Sequence, residues 1–339
     1  MQHGAGTSLN FIDVLAEIVP PNVPVALLDF PWHSNPGDAA IWKGETLALS
    51  TLGHRIAYTA NQSNFEQNRL ARLLPEDGVV LLHGGGNFGD LWPNIHAQRE
   101  SIIHNLRDRT IVQLPQTVHF DNRAAGDTSL TRLATHPNLT VMARDRRSLD
   151  RLLEAGISAR LSRDATSALW PTLPITHQSA GSDRLLFLLR SDRERRHPIP
   201  SNLIPEARDW PDLGLTLDVT DLHTRVVNRG LTFIDRTQQR SGRALPASCR
   251  ARITQQRLQT NRLIDAATQV ITTHDLIVTD RLHAMLLGLA YGRPVVVIDS
   301  GYGKLDSYID TFLNEEPLLH HLSSFDQLSA TLEKIGSSQ

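Results

Sequence analysis

Leu276-Ile277-Val278-Thr279-Asp280-Arg281-Leu282-His283-Ala284-Met285-Leu286-Leu287-Gly288-Leu289-Ala290-Tyr291-Gly292-Arg293-Pro294-Val295-Val296-Val297-Ile298-Asp299 decides how this chain folds. A short apolar run, 276–279, reads as a strand. An apolar helix over 282–291 follows, and a second buried strand over 294–298 comes after a Gly-Arg-Pro turn. Arg281 and His283 stand where the first strand gives way to the helix. In a parallel α/β sheet that point is the carboxyl edge of a strand and the amino end of a helix, where unbonded backbone N–H groups favour anions. An anionic ligand is therefore expected there.

The same alternation runs outward through the chain. Strands are expected at 23–30, 55–59, 78–83, 110–114, 139–143 and 159–161, separated by helices at 38–52, 95–106, 123–134 and 146–155. Apolar strands interleaved with helices imply a parallel sheet covered on both faces. Pro171, Pro174, His177, Ser179, Gly181 and Ser182 then crowd a short stretch that reads as a linker. Beyond it come a strand at 184–189, a long polar loop at 193–211, weaker strands at 215–219 and 231–234, and an irregular stretch at 237–246. A helix at 250–272, the opening segment and helices at 305–312 and 325–335 complete the pattern. The fold class is α/β: two Rossmann-like domains facing each other across a cleft, residues 1–175 and 183–339, with the last helix free to pack back on the first domain.

Composition narrows the function classes. At 339 residues the chain exceeds what one core usually serves. A net charge of −2 lacks the electrostatic footprint of a nucleic-acid binder. Cys249 is the only cysteine, so a disulfide frame or thiolate metal cluster is excluded. The first 21 residues carry no secretory signal pattern, and no stretch reaches about 18 uninterrupted apolar residues. A cytoplasmic protein is expected, with any membrane contact peripheral. His320-His321 is adjacent rather than at i, i+4, and there is no His-Glu-x-x-His, so no metal site is expected. A Gly-x-Ser-x-Gly hydrolase elbow is also lacking.

Four segments are expected at carboxyl ends of strands. Ser34-Asn35-Pro36-Gly37-Asp38 precedes a helix, with Asp38 placed either as its N-cap or as a catalytic carboxylate. His83-Gly84-Gly85-Gly86-Asn87-Phe88-Gly89-Asp90-Leu91-Trp92 reads as a ligand-facing loop, because consecutive glycines let backbone approach a ligand and Asn87 both donates and accepts. It is neither a dinucleotide fingerprint nor a P-loop. In Leu114-Pro115-Gln116-Thr117-Val118-His119-Phe120, His119 follows a strand and suits proton transfer. Arg190, Arg281, His283 and Lys304 form the fourth group, three cations and an imidazole suited to a small, highly charged anion.

Asn35-Pro36-Gly37-Asp38, Gly84-Gly85-Gly86-Asn87-Phe88-Gly89-Asp90, Leu114-Pro115-Gln116-Thr117 and Asp280-Arg281-Leu282-His283, in this order and spacing, resemble the polysaccharide pyruvyl transferase family. The resemblance spans almost the whole chain, 29–312. It implies a GT-B-like fold, phosphoenolpyruvate as donor, and a glycan or lipid-linked oligosaccharide as acceptor. The product would be a pyruvate ketal bridging two hydroxyls of one sugar, as in exopolysaccharide or cell-surface glycan biosynthesis at the cytoplasmic face of the membrane. No cofactor is implied beyond that co-substrate. The resemblance implies that Arg281 and His283, in the Arg281-Leu282-His283 segment, contact the donor, and Arg190 less distinctively; Leu282 and Lys304 complete the expected donor set, Lys304 on the charge of phosphoenolpyruvate, with Asn35, Asp38, Asn87, Trp92 and His119 as candidate acceptor contacts. His283 is the expected acid and Asp38 or His119 the expected base. Two other readings share these residues: a GT-B glycosyltransferase using a nucleotide-sugar donor, and an inert glycan-binding protein of the same fold.

Overall fold

The computed structural model describes residues 9–172, 185–196, 198–200, 207–214, 230, 233, 246–299 and 301–336. It is a mixed α/β protein with two parallel sheets. By contacts the chain divides into two compact units. One comprises Met1–His33, Ala40–Leu169 and Leu217–Asn261; the other comprises Ser34–Ala39, Trp170–Thr216 and Arg262–Gln339. The expected strand at 215–219 lies outside the described residues, as does most of the expected linker at 171–182 and of the irregular stretch at 237–246; of the expected strand at 231–234 only Phe233 is described, and it is helical rather than extended.

The first unit is built on β1 (Val25–Leu28), β2 (Ile56–Ala60), β3 (Val79–Leu82), β4 (Gly85–Gly89), β5 (Thr110–His119), β6 (Leu139–Ala143) and β7 (Ser158–Leu161). The sheet order is β2-β1-β3-β5-β6-β7, with β4 paired to β5, and every pairing is parallel. Alternating residues of each strand enter opposite cores, as a period of two requires. Val25, Leu27, Val79, Leu81, Val112 and Leu114 pack on one face, and Ala26, Leu28, Val80, Leu82, Ile111 and Val141 on the other. Each fully buried Leu or Val contributes about 1.5–3 kcal/mol, so two-sided burial makes this sheet the main apolar investment of the unit. Helices α1 (Phe11–Ile18) and α2 (Pro36–Thr51) cover the first face, while α3 (Gln67–Leu73), α4 (Pro93–Asn105) and α5 (Arg123–Ala134) cover the second. A further helix, α6 (Arg146–Glu154), is capped by Asp145, whose side chain accepts from Ser148 N.

Four of these elements were not expected from the sequence or differ from the expectation. Asn10 caps α1, and Phe11, Val14 and Leu15 bury its apolar stripe; α3 is equally short. The segment Gly85–Gly89, expected as a ligand-facing loop, is a strand instead. It pairs with a β5 that runs on to His119 rather than stopping near Leu114. Pro115 sits inside that long strand without breaking it. It lacks an N–H to donate, and it falls in the interval, Gln113 to Gln116, where the register to β6 slips.

The second unit carries β8 (Leu185–Leu188), β9 (Leu276–Thr279), β10 (Val295–Ile298) and β11 (Leu319–Leu322) in the order β11-β10-β9-β8, all parallel. Helix α7 (Pro246–Thr272) supplies Ala267 and Ile271 to one core. That core also holds Met285 and Leu286 of α8 (Leu282–Ala290) and Tyr308 of α9 (Lys304–Phe312), with Leu188, Ile277, Val295 and Val297 of the sheet. On the other face Leu328 and Ile335 of α10 (Leu328–Gly336) pack with Val278, Val296 and Ile298. No helix among the described residues is long and apolar enough to cross a membrane.

One buried histidine ties α4 and α5 to β4. His96 lies against the rings of Phe88 and Phe120, and its Nε2 is 2.8 Å from Ser129 Oγ. Burial lowers its pKa to about 4, against the opposing pull of Glu100. The unfolded chain therefore takes up a proton near the ordinary value of 6.5 that the folded chain refuses until about 4. This contribution is fully present above pH 6.5 and is lost as pH falls through about 4. Chemical denaturation across that window should show stability declining by an amount on the order of a few kcal/mol. His96→Gln should flatten that part of the profile; an unchanged slope would assign it to another group.

Candidate functional site

Parallel strands leave their carboxyl ends open, and in both units the polar side chains of interest gather there. In the first sheet the order reverses at β1 and β3. The segments leaving these two strands are held by one buried guanidinium, Arg99 of α4. Its Nε donates to Asp29 Oδ2 at 2.6 Å, its Nη1 to Asn87 Oδ1 at 2.6 Å and its Nη2 to the His83 carbonyl at 3.0 Å. Asp29 adopts a left-handed φ of 67°, a conformation that costs a non-glycine residue energy and that this ion pair holds in place. Gln116 Nε2 adds bonds to the same His83 carbonyl and to Asn87 Oδ1, both 3.0 Å. With two donors on Oδ1, the Asn87 amide is oriented, and a ligand acceptor would be met by its Nδ2. Glu45, fully buried, takes His83 Nδ1 and Gly84 N at 2.8 Å each.

Trp92 and His119 lie further along the same unit. Trp92 is half-buried immediately before α4. His119 ends β5 with Nε2 3.0 Å from Asp121 Oδ1. Gly89 stands beside it with φ of 141°, and a Cβ there would overlap the His119 carbonyl oxygen, so no other residue fits the β4–β5 pairing.

The second unit gathers the expected cations. Arg190 and Ser191 follow β8, Asp280 and Arg281 follow β9, and Lys304 opens α9 after β10. Thr279 Oγ1 donates to the Leu188 carbonyl at 2.6 Å and accepts from Arg281 N at 3.0 Å, while Asp280 Oδ1 takes Arg190 N at 2.8 Å. These bonds lock the ends of β8 and β9 together. Each cation is met by a carboxylate. Glu194 accepts from Arg190 Nη1 and from Lys304 Nζ, the latter at 2.9 Å. Asp192 accepts from Arg190 Nη2 at 3.2 Å and Arg281 Nη2 at 3.1 Å. Asp209 accepts from Arg281 Nη2 and from Ser191 N and Oγ.

The three cations that the sequence singled out belong to a balanced network, because buried charges without counter-charge are costly. Burial opposes the charge of Arg190, but Glu194, Asp192 and Asp280 outweigh it and raise its pKa. Burial likewise works against ionised Asp209, yet Arg281 and Ser191 prevail and hold its carboxyl below the usual value.

Leu282 belongs to the apolar core, so only its backbone is available to a ligand. His283 is half-buried on the first turn of α8 and lies directly against Gly37. A Cβ on Gly37 would stand 2.5 Å from His283 Nδ1 and 2.8 Å from its Cγ. Two motifs far apart in sequence thus share one surface. Helix α2 begins at Pro36, so Asn35 rather than Asp38 takes the capping position: Asn35 Oδ1 accepts from Gly37 N at 3.0 Å. Asn35 Nδ2 then donates to Asp38 Oδ2 at 2.9 Å, holding that carboxylate within the first helical turn.

A family model described as polysaccharide pyruvyl transferase matches residues 35–302, which takes in the Asn35-Pro36-Gly37-Asp38 turn, the glycine strand and the Arg281-Leu282-His283 segment. The chain belongs to the polysaccharide pyruvyl transferase family. Among its relatives, EpsO of Bacillus subtilis, named as a pyruvyl transferase, is 27% identical over 322 residues, 93% of this chain and 94% of that protein. Pyruvyl transferase 1 of Schizosaccharomyces pombe is 27% identical over 310 residues, 86% of this chain and 70% of that one. The crystal structure of an uncharacterized Klebsiella pneumoniae protein shares the fold, with a TM-score of 0.56 at 13% identity over 93% of this chain and 97% of that one.

In this pyruvyl transferase family member, four supporting groups escaped the sequence reading. Arg99 sits on a helix whose apolar spacing did not reveal which polar residue faces inward. Asp192, Glu194 and Asp209 fall within or beside a stretch taken only as polar loop. Arg-Ser-Asp-Arg-Glu directly after a buried strand was the available signal for the first two.

Gly37→Ala tests the contact that joins the motifs. The methyl group meets the base of the His283 ring rather than a flexible tip, so the imidazole must move. Transfer activity should fall by about a hundredfold, as expected when a reacting group shifts by about 1 Å, with the circular dichroism spectrum preserved. Activity within twofold of the parent would show that the His283 position is not critical.

Proposed function

We propose that this protein moves the pyruvyl group of phosphoenolpyruvate onto two hydroxyls of a sugar, in a glycan or its lipid-linked precursor, forming a pyruvate ketal and releasing phosphate. The observation that carries this reading is the packing of His283, beside Arg281, on the Asn35-Pro36-Gly37-Asp38 turn. An imidazole, a carboxylate turn and an anion-binding strand end are thereby supplied together, within a chain of the pyruvyl transferase family.

The donor carries a carboxylate and a phosphate, and Arg190, Arg281 and Lys304 are the groups to receive them, with the backbone N–H groups at the start of α8. Proton delivery from His283 to the methylene carbon makes the adjacent carbon electrophilic. One sugar hydroxyl adds there, phosphate leaves with its bridging oxygen, and the second hydroxyl closes the ketal. One hydroxyl proton replaces the proton given to the methyl group, and the other departs with phosphate. Asp38 or His119 is the base that takes up a hydroxyl proton. Asn35, Asn87 and Trp92 are proposed acceptor contacts; Asn87 is the best oriented, through Arg99 and Gln116. A protein acting on a lipid-linked acceptor would work at the cytoplasmic face of the membrane.

Phosphate release from phosphoenolpyruvate, with mass spectrometry of the acceptor for a condensed pyruvate, tests the reading. Arg281→Ala should raise the donor KM by one to two orders of magnitude, about the worth of lost charge-assisted hydrogen bonds. His283→Gln should lower kcat by about 10²–10⁴. Wild-type turnover in both variants would sink the assignment, and stabilisation by nucleotide sugars but not by phosphoenolpyruvate would favour a glycosyltransferase.

A further inference from the structure

We propose that the Asp192 carboxylate is an internal stand-in for the anionic ligand, occupying the guanidinium clamp until the ligand displaces it. This inference deepens the phosphoenolpyruvate reading and rests on it for the identity of the natural ligand.

Three carboxylates serve the cations, and they are not equivalent. Asp209 is almost fully buried, with a side-chain exposure of 1%, and is fixed by Ser191 and by a capping box with Asp212 that opens a short 3₁₀ turn. Glu194 is 6% exposed and pins both Arg190 and Lys304. Asp192 is 31% exposed. It sits on the bend just past β8, and apart from the two arginines it accepts from the Glu194 N–H, 3.0 Å from Oδ1. Asp192 is therefore the member that solvent reaches and that a short loop movement removes.

Its geometry is that of a bound anion. Oδ2 receives Arg190 Nη2 and Arg281 Nη2, and Oδ1 lies 3.1 Å from Arg190 Nε. Two guanidinium groups converging on one oxygen is the arrangement that holds a phosphate or carboxylate oxygen from outside. Arg281 Nε is moreover buried with no hydrogen-bond partner among the described residues, a donor left over for an incoming acceptor.

The energetics favour exchange. Asp192 is partly exposed and gains hydration once released, while the guanidinium groups it leaves are met by the incoming anion, so neither arginine is left without a counter-charge. The incoming group brings more charge than the one it replaces. Glu194 and Asp209 keep the arginines oriented during the exchange, so the clamp need not reform. Asp192 thereby lowers the apparent affinity for every small anion by competing for the same donors; phosphate displaces it only at high concentration, and a ligand with two anionic groups spanning Arg190, Arg281 and Lys304 does so at lower concentration. It acts as a specificity filter as well as a plug.

Inorganic phosphate, titrated calorimetrically into the full chain, separates this role from a structural one. Asp192→Asn should bind phosphate about tenfold more tightly than the parent; a purely structural carboxylate would give weaker binding on removal, because the two arginines would lose their alignment. Equal or weaker phosphate binding by a folded Asp192→Asn protein overturns the proposal. A second measurement uses the parent alone. Crystals soaked in phosphate should show a phosphate oxygen between Arg190 and Arg281 with Asp192 turned away; Asp192 still bridging both arginines, with phosphate elsewhere, overturns it. Tighter phosphate binding without any pyruvyl transfer would sustain the filter and defeat the donor assignment. Transfer by the parent with no gain in Asp192→Asn would do the reverse.

Discussion

Burial of both faces of a parallel sheet governs everything else in this protein. Once Val25 to Leu28 and Val295 to Val297 are enclosed by helices on either side, side chains along the strands have no route to a ligand. Chemistry is confined to strand ends, where backbone groups lack partners and polar residues are tolerated. The two sheets meet that constraint differently. The first uses a single guanidinium, Arg99, to tie the segments leaving β1 and β3 and the middle of β4 into one rim. The second uses threonine and aspartate, Thr279 and Asp280, to lock neighbouring strand ends, and then loads those ends with paired charges.

This constraint also explains how much could be read from the sequence. Apolar runs of four or five residues between amphipathic stretches identified most strands, because two-sided burial leaves no ambiguity about such runs. The cations at 190, 281 and 304 were visible as interruptions of apolar or glycine-rich stretches. The glycine segment misled for a physical reason. Gly85 to Gly89 has the composition of a turn, yet its pairing depends on backbone packing against His119 that only glycine allows, and local propensity does not record a close approach from a distant strand. Short helices α1 and α3 were lost because seven or eight residues carry too little periodicity to stand out. The carboxylates of the second unit were lost because ion pairing is a property of pairs, and sequence shows members singly.

Charge pairing in the second unit bears on how cations can be held together at the strand ends. Three cations within one small volume repel each other and resist burial, and solvent cannot compensate them fully at strand ends that are mostly enclosed. Carboxylates from the segment after β8 provide the balance. Two of them are buried deeply enough to be part of the scaffold, and the third is within reach of water. On the proposed reading, such a site is preorganised and occupied at once.

The seat of His283 on Gly37 carries a consequence for reading other chains. Because the imidazole fills the space that any side chain at 37 would need, the two positions form one unit of information, and neither can be judged alone. A distant relative that keeps Arg-Leu-His but carries a bulkier residue at the position of Gly37 has no room for the ring in this pose. Such a chain would retain the look of the motif while having given up the geometry, so the pair is a sharper criterion than either motif for whether this pose is kept.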